Sequence, residues 1–189
     1  AVLALSNFLR NPQAALDMFR AYSTYLGRAG TGDGHGTGAG AHVHPWHYYL
    51  QMLACWRQGR GPWWSEGMIL GLALIGMLPA LRPALAPFAN RHLVRFLVLF
   101  TLFQTAVYSV IPYKTPWNML GFLYGFIVLA GVGGAVILHW LPGRWWKAAA
   151  LALYAVGAWH LGVQSWRSCF TWYADPRNPY VYGHTSTNL

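Results

Sequence analysis

Four long apolar stretches constrain the fold of this chain more than any other feature of its sequence. They cover roughly residues 66–81, 93–111, 117–140 and 147–165. About 20 apolar residues in a helix are enough to cross the roughly 30 Å hydrocarbon core of a bilayer. The stretches therefore predict an all-α fold, a polytopic transmembrane helix bundle with about four spans. The first is expected to end near Leu81, because the segment carries Pro79, Arg82, Pro83 and Pro87.

The charge content excludes an ordinary water-soluble surface. Only 9% of the residues are charged, whereas 56% are hydrophobic and 16% are aromatic. The net charge of +9 would suggest nucleic-acid binding in a soluble domain, but here the basic residues lie mostly at the ends of apolar runs. We therefore expect membrane lipid as a partner and no nucleic acid. The oligomeric state does not follow from the sequence.

The loops between the stretches predict an orientation. The short segments "RPALAPFANRH" and "LPGRWWK" are basic, and the positive-inside rule assigns such loops to the cytoplasm. The segments that alternate with them are then extracytoplasmic, in a multi-pass protein of the plasma membrane. We expect the chain to be a piece of a longer membrane protein.

This alternation divides the chain into three regions. Residues 1–65 are predicted to form an extracytoplasmic loop with interfacial amphipathic helices, one over "NPQAALDMFRAYSTYLGRAG" and one after Pro45, joined by the glycine-rich run 30–40. Residues 66–165 form the bundle. Residues 166–189 form an extracytoplasmic tail, either an ordered turn around "DPRNPY" or a linker to a further region.

The segment "IPYKTPWN" carries the most informative cation. Lys114 lies between two predicted spans, with Pro112 and Pro116 on either side and Tyr113 and Trp117 beside it. An ammonium held by a stiff loop at headgroup depth suits a lipid phosphate. The alternative is a lysine whose ammonium simply reaches out from a helix end to the interface.

The segment "HVHPWHYYL" contains His42, His44 and His47. Imidazoles are zinc ligands, but no Cys, Asp or Glu nearby supplies a convincing further ligand. A second interpretation assigns them no site: they are three interfacial histidines that form hydrogen bonds to headgroups or water. We favour a third interpretation, in which they form the polar rim of a pocket for a phosphate or a sugar, with Pro45 and Trp46 shaping the wall.

Acidic residues are too few to predict a catalytic centre. Glu66 is the only carboxylate near a predicted span, and it is interpreted as a first-turn acid at a helix N-terminus. No catalytic carboxylate pair, serine hydrolase motif or nucleotide-binding glycine loop is visible in the sequence. The sequence therefore assigns no catalytic residue.

Three segments together resemble a known family: "HVHPWHYYL", "VIPYKTPWNMLGFLYGFIVLAGVGG" and "DPRNPYVYGHTS". They are similar to the later part of bacterial and archaeal membrane proteins described as flippase-activity-associated. These belong to the superfamily of dolichyl-phosphate-mannose protein mannosyltransferases, polytopic glycosyltransferases with a lipid-linked donor. The resemblance implies an extracytoplasmic pocket that binds a polyprenyl-phosphate-linked sugar and transfers the sugar to an acceptor.

The resemblance also implies roles for single residues. Lys114 and Tyr113 would bind the carrier phosphate. The pocket would be lined by His42, His44, Pro45, Trp46, His47, Tyr48 and Trp117.

One departure from the family limits the enzymatic expectation. The acid that activates the acceptor in the superfamily lies in a first extracytoplasmic loop, and this chain contains no such region. Glycosyl transfer is therefore expected only of the intact parent protein. Two alternatives stay open: a non-catalytic component that moves a lipid-linked saccharide, and a membrane enzyme that uses a divalent metal at His42, His44 and His47.

Overall fold

The computed structural model describes residues 42–181 and four positions in the preceding segment, Gln13, Asp17, Arg20 and Ser23. Residues 42–181 form an all-helical structure with two isolated β-bridges. Short 3₁₀-helices cover Pro83–Leu85 and Pro116–Met119, and a π-helical turn covers Arg167–Thr171. The α-helices are α1 (Tyr48–Ala54), α2 (Gly67–Leu81), α3 (Arg91–Val110), α4 (Leu120–Trp140) and α5 (Gly143–Trp166).

A helix lies over each of the four predicted apolar stretches, but only two of these helices are both long enough and apolar enough to be candidate membrane spans. Arg91–Val110 and Pro116–Trp140 are long and apolar enough to cross a bilayer, whereas Gly67–Leu81 is apolar but shorter. Helix α5 has sufficient length, yet Arg144, Lys147 and Gln164 reduce its apolar character. The all-helical prediction is confirmed for the described residues, and a count of four spans is not.

The end of α2 lies where the sequence predicts it. The helix passes through Pro79 and ends at Leu81, and Arg82 then leaves the helical conformation before Pro83. Proline disfavours the α conformation for the residue that precedes it. Pro83, rather than Pro79, therefore ends the helix.

The chain divides into two compact units. The first unit comprises Ala1–Trp46 and Val110–Lys114, and the second comprises His47–Ser109 and Thr115–Leu189. Each unit is described by itself below.

The closest helix crossing in the second unit joins α2 and α4 through glycine. A Cβ added at Gly76 would overlap the carbonyl oxygen of Leu129 and lie 2.9 Å from the backbone nitrogen of Gly133. A Cβ added at Gly133 would in turn overlap the carbonyl oxygen of Leu72. Glycine at both positions lets the two backbones touch, as small residues do where helices pack in lipid.

The core of the second unit is built around this crossing. Its buried apolar residues come from α1, α2, α4 and the turn that precedes α4: Tyr49, Met52, Leu53, Ala73, Met119, Phe122, Phe126, Leu129 and Ala130. Helix α1 thus buries Tyr49, Met52 and Leu53, which lie on one face of the helix. The sequence predicts an interfacial helix here, and the structure shows that the apolar face of this helix packs into the core.

The loop after α2 contacts the end of α4. The indole Nε1 of Trp140 donates a hydrogen bond to the Leu85 carbonyl at 2.9 Å, and the rings of Phe88 and His139 lie 5.5 Å apart. Arg95 donates to the Ala80 carbonyl at 2.9 Å. These contacts pack the first basic loop against the end of α4, which directly precedes the second basic segment "LPGRWWK".

The predicted amphipathic helix before the glycine-rich run lies mostly outside the described residues. Its four described positions are helical and exposed, with an Arg20 to Asp17 ion pair of 3.2 Å. Their spacing of three or four residues places them on one helical face. The predicted apolar face, the glycine-rich run 30–40 and residues 182–189 lie outside the described part.

Substitution at the glycine crossing tests its role in stability. We expect Gly76→Ala to destabilise the protein by roughly 1–3 kcal/mol, because the added methyl group forces two backbones apart. Gly71→Ala on the same helix is the matched control, since a Cβ there meets nothing within 4 Å; it should be neutral or stabilising by up to about 1 kcal/mol. Thermal unfolding in detergent measures both effects. Equal melting temperatures for the two variants would contradict the proposed close crossing.

Candidate functional site

Backbone pairing in the first unit joins the histidine segment to the lysine segment. Val43 and Tyr113 form an antiparallel bridge. The Lys114 N–H donates to the His42 carbonyl at 2.8 Å, and the His44 N–H donates to the Pro112 carbonyl at 3.1 Å. The two segments singled out by the sequence, far apart along the chain, are therefore held side by side by main-chain hydrogen bonds.

This pairing gathers four of the predicted site residues. The rings of His42 and Tyr113 lie 5.3 Å apart, and His44 is close enough to His42 and Lys114 to feel the charge of each. We refer to His42, His44, Tyr113 and Lys114 as the lysine site. Pro45 and Trp46 lie in the same unit and are exposed, Trp46 to 66%.

Lys114, which the sequence predicts to be held by a stiff loop at headgroup depth, has a buried side chain. Its side chain is 1% exposed, and its ammonium donates to the Ile111 carbonyl at 2.6 Å. Burial lowers the pKa of Lys114 from its ordinary value, because the charged form loses hydration. The geometry differs from that of a lysine reaching out into solvent from a helix end.

His44 shares this electrostatic environment. Its pKa is lowered first by burial and then by the positive charges of His42 and Lys114. Two like charges at short range disfavour each other's charged form. The lysine site thus collects basic groups whose protonated forms an anion would stabilise.

The other predicted pocket residues belong to the second unit. His47 is exposed immediately before α1, and Trp117 is 50% exposed in the turn Pro116–Met119. Tyr48 packs its ring against Trp56 at 5.5 Å. These three residues are described with the second unit, so the lysine site does not include them.

The described residues contain no group of three or more His, Cys, Asp or Glu side chains suited to hold a metal ion. His42, His44 and His47 therefore do not form a ligand set in the described part of the chain. A divalent metal at these histidines, kept open on the sequence, has no support from this geometry.

Tyr49 is a residue that sequence reasoning did not single out. Its hydroxyl donates to the Thr115 carbonyl at 2.9 Å and accepts from the Thr115 N–H at 3.0 Å. Burial, the main cause, raises the pKa of Tyr49 to about 12. The neutral hydroxyl fixes the backbone of the residue that follows Lys114.

Glu66 forms a second polar centre that sequence reasoning also missed. It is 8% exposed, and its Oε1 accepts a hydrogen bond from the Gln164 amide at 2.7 Å and another from the Tyr180 hydroxyl. The Gln164 carbonyl oxygen accepts from the Ser65 N–H at 2.8 Å. We refer to Glu66, Gln164 and Tyr180 as the glutamate centre. The prediction of a simple first-turn acid is thus incomplete, because the carboxylate is buried and its partners lie far along the chain.

The tail segment supplies Tyr180 through an ordered turn. The Asn178 amide donates to the carbonyls of Ser168 and Trp172, each at 3.2 Å, and its Oδ1 accepts from the Tyr180 N–H at 3.0 Å. Arg177 forms an ion pair with Asp175 at 2.7 Å. Of the two alternatives for the tail, an ordered turn describes the residues up to 181.

Glu66 should make stability depend on pH. Burial, the largest cause, raises the pKa of Glu66 above its ordinary value of 4.5, and the hydrogen bonds from Tyr180 and Gln164 oppose this shift only in part. The folded protein therefore holds the proton more tightly than the unfolded chain. The resulting stabilisation is full below the unfolded pKa and is lost as the pH rises through the folded pKa.

We therefore expect the melting temperature of the wild type to fall more than that of Glu66→Gln between about pH 5 and about pH 8, since glutamine does not titrate. Asp175→Asn is the control, because Arg177 lowers the pKa of Asp175 to about 2 and that carboxyl stays ionised over this range. Its pH profile should parallel that of the wild type. A parallel profile for Glu66→Gln would contradict a raised pKa at Glu66.

Comparison of the chain with protein-family models, with curated proteins and with solved structures finds no match. Inference about function therefore depends on the resemblance noted in the sequence and on the geometry of these residues.

Proposed function

We propose that the chain belongs to an integral-membrane glycosyltransferase-like protein and that its lysine site binds the phosphate of a polyprenyl-phosphate-linked sugar. The observation that carries the proposal is the main-chain pairing of residues 42–44 with residues 112–114. This pairing places Lys114 beside His42, His44 and Tyr113 without relying on any of their side chains. A site that is already assembled pays less ordering entropy when its ligand binds.

The electrostatics of the lysine site support an anionic ligand. The pKa values of both Lys114 and His44 are lowered, which means that their charged forms are disfavoured in the protein by itself. A phosphate would reverse this, because an opposite charge at short range favours the protonated base. Hydrogen bonds between charged partners are also about twice as strong as those between neutral ones.

The position of Lys114 along the chain supports a lipid source for the phosphate. It lies in the short connection between Arg91–Val110 and Pro116–Trp140, the two helices long and apolar enough to cross a bilayer. A short connection between two spans lies near the headgroups. The exposed rings of Trp46 and Trp117 are typical of the membrane interface.

In the proposed reaction, a hydroxyl oxygen of the acceptor attacks the anomeric carbon of the bound sugar. The bond from that carbon to the phosphate oxygen breaks, and the phosphate leaves with the electron pair. Lys114 would stabilise the negative charge that develops on the leaving phosphate. The acceptor hydroxyl gives its proton to a base that the lysine site does not supply. The same binding site would also serve a component that moves the lipid-linked saccharide without chemistry.

Binding to Lys114 variants tests the proposal. We expect Lys114→Ala to weaken binding of undecaprenyl-phosphate mannose by about tenfold or more, since a hydrogen bond to a charged group contributes about 1.5–3 kcal/mol. The measurement is a titration in phosphatidylcholine nanodiscs, with the melting temperature of each variant as a check on folding. Lys147→Ala is the matched control, because Lys147 is exposed on α5.

Equal binding by the wild type and a folded Lys114→Ala variant would contradict the proposed phosphate contact. A mannose-transfer assay on the full-length gene product separates the two uses of the site. Binding with transfer supports the glycosyltransferase, and binding without transfer supports the saccharide-moving component.

A further inference from the structure

Four buried side-chain polar atoms in the second unit lack hydrogen-bond partners within the described part of the chain. Two of them lie in residues that contact a common neighbour: the Glu66 Oε2 and the indole Nε1 of Trp64, whose side chain is 1% exposed. Leaving a buried polar group unpaired costs about 1–3 kcal/mol, more for a charged group. Unpaired groups are uncommon in native structures, so each of these two calls for an explanation.

The two atoms belong to one neighbourhood and are complementary. The rings of Trp64 and Tyr180 meet edge to face at 6.0 Å, and the Tyr180 hydroxyl donates to the other oxygen of Glu66. Trp64 and Glu66 therefore both contact Tyr180. An indole N–H only donates, whereas a carboxylate oxygen accepts. A hydroxyl group fits such a pair, because it accepts one hydrogen bond and donates another.

A small cavity adjoins Trp64 and Gln164. Its volume is about 30 Å³, and it is lined by Pro62, Trp63, Trp64, His160, Val163, Gln164 and Arg167. Gln164 connects the cavity to Glu66 through the 2.7 Å hydrogen bond. About 10–15 Å³ is the minimum needed for one water-sized group. The cavity therefore has room for a single hydroxyl but not for a whole sugar ring.

The cavity wall runs from buried to exposed side chains. Trp64 and Gln164 are buried, whereas Trp63, His160 and Arg167 are exposed, Trp63 to 62%. The Arg57 guanidinium lies 5.0 Å from the centroid of the Trp63 ring. An indole surrounded by guanidinium and imidazole donors suits a molecule with an apolar ring face and further hydroxyls. Aromatic walls with a few placed polar groups are typical of small-ligand sites.

We infer that Trp64 and the glutamate centre form a sugar-binding site that takes one hydroxyl group of the sugar. The hydroxyl accepts a hydrogen bond from Trp64 Nε1 and donates one to Glu66 Oε2, while the sugar ring lies outside the cavity against Trp63. The site is independent of the proposed phosphate contact, because it uses residues of the second unit alone and no charge on the ligand.

The test uses neutral methyl glycosides of mannose, glucose, galactose and N-acetylglucosamine with the full chain in nanodiscs. Ligand-observed NMR or calorimetry should detect saturable binding of at least one of them. For that glycoside, removal of one hydroxyl in its series of monodeoxy analogues should weaken binding by about tenfold, since the protein groups would be left unpaired.

Variants locate the site. Trp64→Phe removes the N–H and keeps an aromatic ring. Glu66→Gln replaces one of the two carboxylate oxygens with an NH₂ group, which donates hydrogen bonds and does not accept them. Each should weaken glycoside binding by about tenfold. The matched control is Trp56→Phe, because Trp56 Nε1 is also buried without a hydrogen-bond partner among the described residues but lies outside the cavity lining. It should leave binding unchanged.

Three outcomes would overturn the inference. The first is that no glycoside of the panel shows saturable binding, which leaves a bound water as the occupant. The second is that Trp56→Phe weakens binding as much as Trp64→Phe does. The third is that no single deoxy analogue binds more weakly than the parent glycoside. The glycosides carry no phosphate, so Lys114→Ala should not affect their binding. Failure here is thus distinguishable from failure of the lipid-phosphate proposal.

Discussion

The contact between the backbones of α2 and α4 is the constraint on which the rest of the second unit depends. At Gly76 and Gly133 no side chain separates the two helices. This brings Ala73 and Leu129 into one core, and α1 covers that core with Tyr49, Met52 and Leu53. The start of α2 is positioned by the same packing, so Glu66 occupies a defined place beside α5 and the tail. A small change in the distance between the two helices would move all of these groups at once.

Much of the helical layout could be predicted from the sequence, because long apolar runs and prolines are local signals. An end of α2 near Leu81 was predicted from the prolines around that position, and helices lie over all four apolar stretches. The burial of α1 could not be predicted, since a short amphipathic pattern is the same against lipid as against a protein core. Nor could the apolar content of α5 decide whether it crosses a membrane.

The candidate site was predictable only where its residues are close in sequence. Lys114 and the histidine segment stood out as motifs, but their pairing and the burial of Lys114 depend on contacts between distant parts of the chain. The hydrogen-bond partners of Glu66 were even harder to predict from the sequence. Its partners Gln164 and Tyr180 lie 98 and 114 residues further along. No local pattern distinguishes such a carboxylate from an ordinary acid at a helix start.

The orientation of the Gln164 amide has a consequence for how Glu66 carries a proton. Because the Gln164 oxygen faces the Ser65 N–H, its NH₂ group must face Glu66. Oε1 of Glu66 then accepts from the amide and from the Tyr180 hydroxyl. While the Tyr180 hydroxyl donates to Oε1, a proton on this carboxyl group is carried by Oε2. Oε2 is then an acceptor when Glu66 is ionised and a donor when Glu66 is neutral. The orientations of the Gln164 amide and of the Tyr180 hydroxyl together decide which carboxyl oxygen changes from acceptor to donor.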